Sequence, residues 1–325
     1  MGSGMIDRAE LQDAACRAFG KGDLAPDSDE SWKLIAEMGW LMMAVPEELG
    51  GLGLGREAAG VIHTELGRAL VPGPAIAQML VIEALCSADV VPERDDLLAR
   101  AMGGEVMTTS LSLDSPLAAV IDADRASHML VIQPDRVVLH PLATANFTPR
   151  PTWDETRRLC DVTLGDTDDA LIIAKGDAAT TLADRLQSQL LFALAADSLG
   201  GAAAVLALTI DYLNTRRQFD RPLAMFQALK HRVADLKTRL AAAKSLFWAR
   251  AASDSTLVDI GALKAHATTV YCAIAEEAIQ LHGGIGLTSE YYCHLFLKRA
   301  MLNGALGGDA DYWEEKLGRH TLALT

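Results

Sequence analysis

The chain is 325 residues long, room for two or three domains at roughly 100–200 residues each. Half of it is apolar, which supports a sizeable core and excludes a disordered chain. Lys and Arg number 29 against 43 Asp and Glu, a formal net charge of −14, and both nucleic acid and anionic membrane surfaces call for clustered cations instead.

Aromatics make up only 5% of the residues while Ala and Leu are abundant, a mixture that favours helices. The opening Met1-Gly2-Ser3-Gly4 reads as an appended tail ahead of a native Met5, with no basic or apolar targeting pattern. The first hundred residues read as helices. Ser28 to Gly39 carries Trp32, Leu34, Ile35 and Met38 at near-helical spacing. The Pro- and Gly-rich stretch Val45 to Gly55 is a loop. Helices follow at Arg56–Arg68, Ile76–Ala88 and Asp95–Met102. From Gly104 to about Ala174 the texture changes to short apolar or alternating runs, Val106–Leu113, His128–Gln133, Arg136–His140, Cys160–Leu164 and Ala170–Ala174. Turn residues such as Pro134-Asp135 separate these strands. The remainder returns to helix, first over Gln187–Asn214. Phe226, Leu229, Val233, Leu236, Leu240 and Ala243 then mark one buried stripe, and Leu263, Ala267, Val270, Ile274 and Ala278 another. Tyr291–Leu306 and Tyr312–Leu324 complete the pattern. The fold class is mainly α with a small middle β domain: a helical domain over residues 5–103, a shortened β domain over 104–175 and a helical bundle over 176–325.

Five widely spaced cysteines without a CxxC pair speak against structural zinc and a disulfide framework, and for free thiols in a reducing compartment. No uninterrupted run of about 20 apolar residues occurs, so a soluble, cytoplasmic protein is expected. Two stretches carry chemistry. Arg216 to Leu223 places two arginines, an amide and an aromatic in a tight turn between long helices, a set that suits a phosphate beside a planar ring. A solvated arginine pair beside a core Phe is the alternative. Gln280 to Gly286 offers three glycines after a helix, where bare backbone can approach a ligand; a helix cap followed by a turn explains it equally well. His282 alone reads as a hydrogen-bonded structural histidine. There is no nucleophile elbow, P-loop or HExxH motif, and the glycines at 51–55 lack dinucleotide spacing and a preceding strand.

These pieces occur in an order that resembles the acyl-CoA dehydrogenases along nearly the whole chain. They are Ala36 to Trp40 through Val45 to Gly53, Glu65 to Arg68, Arg216 to Leu223 with Phe226-Gln227 and His231, Ala234-Asp235, and Gln280 to Gly286 with His294-Leu295 and Leu297 to Arg299. The resemblance implies an N-terminal helical domain, a β domain and a C-terminal four-helix bundle, with FAD held at a subunit interface. It implies that Arg216 and Gln218 face the FAD diphosphate, that Phe219 packs near the adenosine, and that Gln280, Gly283 and Gly284 line the same diphosphate. The reaction it implies removes the α-proton of an acyl-CoA with a carboxylate while the β-hydrogen leaves as hydride.

The family's base belongs at one of two positions, and here they are Gly307 and Leu190. Asp309 lies two residues from the first and would serve only after a backbone shift; a helix cap or a solvated carboxylate is its alternative reading. The middle domain lacks the family's flavin-ring motifs; Thr108-Thr109-Ser110 are its clustered hydroxyls and Trp153 its lone Trp, in a turn. This asymmetry resembles the two-chain, α2β2 acyl-CoA dehydrogenases of bacterial steroid side-chain degradation. A second dehydrogenase-like subunit would supply base and ring contacts, with an acyl-CoA substrate and an electron-transfer protein as further partners. Two other readings stay open: a self-sufficient homomer using Asp309 or another carboxylate, and a scaffold that has lost flavin.

Overall fold

The computed structural model describes residues 8–20, 24–88, 92–112, 115–133, 135–165 and 169–323. The expected start at Met5, the strand end at Leu113, the turn residue Pro134 and the helix end at Leu324 lie outside these residues. The N-terminal third is helical: α1 (Arg8–Ala18), α2 (Ser28–Glu37), α3 (Gly55–Arg68), α4 (Ala75–Ser87) and α5 (Pro92–Met102). Asp27 caps α2, its carboxylate accepting from the Asp29 and Glu30 amides at 2.9 and 3.0 Å. α4 is buried on nearly every face, as its near-continuous apolar sequence requires.

Short strands follow: β1 (Met107–Thr109), β2 (Val120–Ile121), β3 (His128–Gln133), β4 (Arg136–Pro141), β5 (Asn146–Arg150), β6 (Leu159–Thr163) and β7 (Leu171–Lys175). They form two sheets, ordered β1-β3-β4-β7 and β2-β6-β5, with β1 parallel to β3 and the other pairs antiparallel. Val120, Met129, Val131, Leu142, Cys160 and Val162 pack together as the apolar layer of this region. β2 and β5 escape sequence reading. β2 is only two residues long, and β5 is a largely exposed edge strand containing Pro149.

The bundle starts with α6 (Asp177–Thr215), a helix of 39 residues. It begins ten residues before the expected Gln187, because Ala179, Leu182 and Leu186 already follow the helical period and are buried. By length and composition α6 would cross a membrane, yet 83% of its most apolar window is buried inside the molecule. It packs on α3 through glycines. A Cβ on Gly67 would sit 2.0 Å from the Asp197 carbonyl oxygen, and one on Gly200 would sit 1.8 Å from that of Thr64, so the two backbones touch.

The hairpin of β8 (Arg217–Gln218) and β9 (Arg221–Pro222) leads into α7 (Gln227–Ala251), α8 (Leu257–His282), α9 (Cys293–Ala305) and α10 (Ala310–Ala323). The α8 stripe is buried as expected. The α7 stripe is a correction: only Leu236, Leu240 and Ala243 are buried, whereas Phe226, Leu229 and Val233 stay half-exposed because the start of α7 runs past the end of the core.

A buried ionic network joins the three regions. Asp197 of α6 accepts from Arg157 Nη2 and Arg299 Nη1, both at 3.1 Å, and from Asn303 Nδ2 at 2.7 Å. Arg299 Nε donates to Asp154 Oδ2 at 2.8 Å, and Arg157 Nη1 donates to the Gly73 carbonyl at 3.1 Å. Arg299 is 0% exposed. Burial by itself raises the Asp154 pKa, but Arg299, the Thr156 hydrogen bond and Arg157 outweigh it and hold the carboxyl below its usual range.

Candidate functional site

The turn between α6 and α7 builds one end of the site. Arg216 ends α6, its amide donating to the Tyr212 carbonyl at 2.8 Å, and its own carbonyl accepts from Leu223 N at 2.8 Å. This closes the β8–β9 hairpin, in which Arg217 pairs with Pro222 and Gln218 with Arg221. The turn residues Phe219 and Asp220 both adopt left-handed backbone, with φ of 52° and 60°. Two such residues match the twist of a two-residue hairpin, at a cost of roughly 1–2 kcal/mol for a residue like Phe. Phe219 is also 84% exposed, with Phe226 beside it at 6.2 Å between ring centroids. The strain therefore holds an aromatic ring out in solvent rather than in the core, which removes the core-Phe reading of this turn.

The other end comes from the α8 terminus. Gly283 has φ of 67°, and a Cβ on either Gly283 or Gly284 would meet nothing within 4 Å, so bare backbone faces open space. Tyr212, Thr215, Arg216, His282, Gly284 and Tyr291 line one open cleft of about 410 Å³. Tyr212 stacks on His282 with centroids 4.3 Å apart. The His282 Nδ1 lies 2.7 Å from the Ala278 carbonyl, consistent with an N–H donated to it, and burial lowers the imidazole pKa. His282 is thus held as a structural side chain. Of the residues singled out in the sequence, Arg216 and Gly284 line this cleft together. Gln218 and Phe219 stand on the hairpin, and Gln280 and Gly283 are exposed at the α8 end.

The two expected base positions meet elsewhere. Gly307 lies against α6: a Cβ there would sit 3.1 Å from Leu191 Cδ2, 3.3 Å from Leu194 Cδ1 and 3.7 Å from Leu190 Cδ2. Leucine side chains therefore crowd any Cβ placed at this position. Leu190 also lines a small cleft of about 170 Å³ with Thr109, Ser110, Gln187 and Leu80. The hydroxyls of Thr108, Thr109 and Ser110 donate to the carbonyls of Ile121 at 2.6 Å, Leu130 at 2.8 Å and Ala118 at 2.8 Å. Asp309 is exposed, and its carboxylate accepts the Tyr312 amide at 2.9 Å, so it caps α10 as its alternative reading has it. Trp153 is 76% exposed in its turn.

Sequence reasoning missed the Asp197 network, although a lone Asp inside the apolar run of α6 was its visible signal. It also missed Lys264, fully buried, whose ammonium donates to the Gly304 and Gly308 carbonyls at 2.8 and 2.6 Å and so fixes the backbone on either side of Gly307. Burial lowers its pKa to about 8 against the opposing effect of Asp309.

Residues 9–90 match the acyl-CoA dehydrogenase N-terminal domain, and residues 191–322 match the acyl-CoA dehydrogenase C-terminal domain. The chain belongs to the acyl-CoA dehydrogenase family of FAD-binding oxidoreductases. It is 34% identical over 289 residues to acyl-CoA dehydrogenase IpdE2 of Mycolicibacterium smegmatis, covering 88% of this chain and 86% of that one. IpdE2 of Mycobacterium tuberculosis is 35% identical over 288 residues, covering 88% and 85%. Among solved structures, the Tcur3481-Tcur3483 steroid ACAD G363A variant superposes with a TM-score of 0.84 at 25% identity, covering 98% of this chain and 99% of that one. A chain of the ChsE4-ChsE5 complex from Mycobacterium tuberculosis has the same fold, with a TM-score of 0.82 at 22% identity and 100% of both chains covered.

The residues present fit one half of FAD. A cation, an amide, an exposed aromatic and open glycine backbone suit the diphosphate and adenosine. At the β-sheet end, the cleft of about 170 Å³ is lined by Leu80, Leu186 and Leu190 together with Thr109, Ser110, Ser112 and Gln187.

Proposed function

We propose that this chain is the base-lacking subunit of a heteromeric, FAD-dependent acyl-CoA dehydrogenase. The observation that carries the reading is the junction of Gly307 with Leu190, Leu191 and Leu194, where two positions suited to a catalytic carboxylate meet and neither holds one. A second, dissimilar dehydrogenase chain supplies the base, the ring contacts and the acyl pocket. Bound FAD would supply the acceptor for the β-hydrogen of the acyl-CoA, which leaves as hydride. In this chain Arg216 and the amides at Gly283 and Gly284 bind the diphosphate, Gln218 adds a polar contact there, Gln280 flanks it, and Phe219 covers the adenosine. The two-chain names of the structural relatives support the heteromeric reading, and the word steroid in one of those titles supports a steroid side-chain thioester as substrate. An electron-transfer protein would reoxidise the complex. Five free thiols support a cytoplasmic location.

The test is purification of this chain alone and after co-expression with a dehydrogenase chain that retains the carboxylate. A colourless, inactive single chain and a yellow, active complex are expected. Arg216→Ala should strip flavin from that complex. A yellow, active homomer overturns the heteromeric reading, and unchanged flavin content in Arg216→Ala overturns the nucleotide role.

A further inference from the structure

Gly283 and Gly284 carry no side chain, and a Cβ on either would meet nothing within 4 Å, so no packing of their own fixes where this backbone points. Glycine also has the most backbone freedom to lose when it is held against a ligand. The direction of the bare backbone in the cleft therefore has to come from its neighbours.

His282 supplies it from both sides of the pair. The side chain is buried, and its Nδ1 lies 2.7 Å from the Ala278 carbonyl one turn back in α8. The Cys293 Sγ of α9 lies 3.5 Å from Nδ1 and 3.7 Å from Nε2. With the N–H on Nδ1, Nε2 is left to accept from the thiol. On α6, the Tyr212 ring stacks on the imidazole with 23° between the planes, and its hydroxyl donates to the His282 carbonyl at 3.3 Å. That carbonyl belongs to the peptide joining His282 to Gly283, so the hydroxyl holds the plane of that peptide. Beyond the glycines the chain turns back onto the same side chain: a Cβ on Gly286 would sit 2.9 Å from His282 Cβ. One imidazole thus ties α6, α8 and α9 to both flanks of the glycine pair.

We propose, resting on the nucleotide reading of this cleft, that His282 is its positioning residue: gripped by Ala278, Cys293 and Tyr212, it presets the Gly283-Gly284 backbone, so that the FAD diphosphate binds without having to order it. Such preorganisation raises affinity by removing an ordering cost at the moment of binding. His282 and Tyr212 act here through the backbone and touch no reacting atom, so their loss is felt in cofactor affinity and not in the chemical step.

The apo complex with the carboxylate-bearing dehydrogenase chain is titrated with FAD by flavin fluorescence, and turnover is followed against FAD concentration. Tyr212→Phe keeps the stacked ring and loses the grip on the carbonyl; it should weaken FAD by about two- to tenfold. His282→Ala loses every grip and should weaken FAD by about tenfold or more. His282→Asn restores an N–H donor toward Ala278 and should recover part of that loss. In all three kcat at saturating FAD should equal that of the wild type, and the phosphorus NMR signals of bound FAD should move, which a merely structural role would not bring about. Should His282→Ala fail to assemble, Tyr212→Phe decides. Unchanged FAD affinity in Tyr212→Phe and His282→Asn, unmoved phosphorus signals, or a fall in kcat at saturating FAD overturns the proposal. If Arg216→Ala sheds FAD while Tyr212→Phe keeps it, this inference alone fails; if Arg216→Ala keeps FAD, the nucleotide reading beneath it fails.

Discussion

His63 gives the molecule an acid-sensitive spot whose size follows from its surroundings. It is buried in α3, and burial lowers its pKa from 6.5 to about 4, with Asp197 raising it and Arg157 lowering it by smaller amounts. The folded state therefore keeps the imidazole neutral at a pH where the unfolded chain has already taken up a proton. Stability is full above about pH 6.5 and is lost as pH falls toward 4, because the unfolded state binds more protons across that window. At about 1.36 kcal/mol per pH unit the loss reaches about 3 kcal/mol below pH 4 and is already about 2 kcal/mol at pH 5. Urea unfolding of wild type and His63→Gln at pH 7.5 and 5.0 measures it. Burial also lowers the pKa values of His128, His140 and His282, and these contribute equally to both proteins, so the difference between the two pH slopes isolates His63. The variant should lose about 2 kcal/mol less than wild type over this interval. Equal losses would refute the assignment of a neutral, buried imidazole.

Other expectations follow from named contacts. Arg299→Met leaves Asp154 and Asp197 short of a buried cation and should cost about 3–5 kcal/mol, read as a lower melting temperature in calorimetry. Gly200→Ala should destabilise by about 2 kcal/mol or more, since its methyl meets the Thr64 carbonyl. Gly304→Ala, open on α9, should be neutral or stabilising by up to about 1 kcal/mol, and the pair is compared by urea midpoints. Asp309→Ala removes the α10 cap and should cost about 1 kcal/mol, while turnover of the complex with the base-carrying chain stays unchanged; loss of turnover would restore Asp309 as a base.

Much of the fold was legible because burial leaves a periodic imprint. The α8 residues from Leu263 to Ala278 are buried as their spacing requires, and strand β3 was read at its observed bounds. Reading failed where the cause is not periodic. β2 is too short to show alternation, and the upper half of α7 carries an apolar spacing that the chain itself does not bury. At the candidate site, Arg216, Gln218 and Phe219 were visible by residue type, but the hairpin was hidden because Phe219-Asp220 contains none of the glycines that mark such turns. The Asp197 network and the Arg56–Ser188 hydrogen bond involve residues far apart in the chain, and no local pattern reports such a meeting.

The groups gathered around Asp197 come from every third of the polypeptide, the first third supplying only backbone carbonyls. Asp154 and Arg157 belong to the stretch after β5, Asp197 to α6 and Arg299 to α9, while the carbonyls of Val71 and Gly73 precede α4. A cut after the sheets would part Asp154 and Arg157 from Asp197 and Arg299, and a cut before them would take the Val71 and Gly73 carbonyls from the two arginines. Excised pieces should consequently be poor folders, nicked chains should hold together until they melt as a whole, and heating should produce one sharp calorimetric peak rather than a staircase.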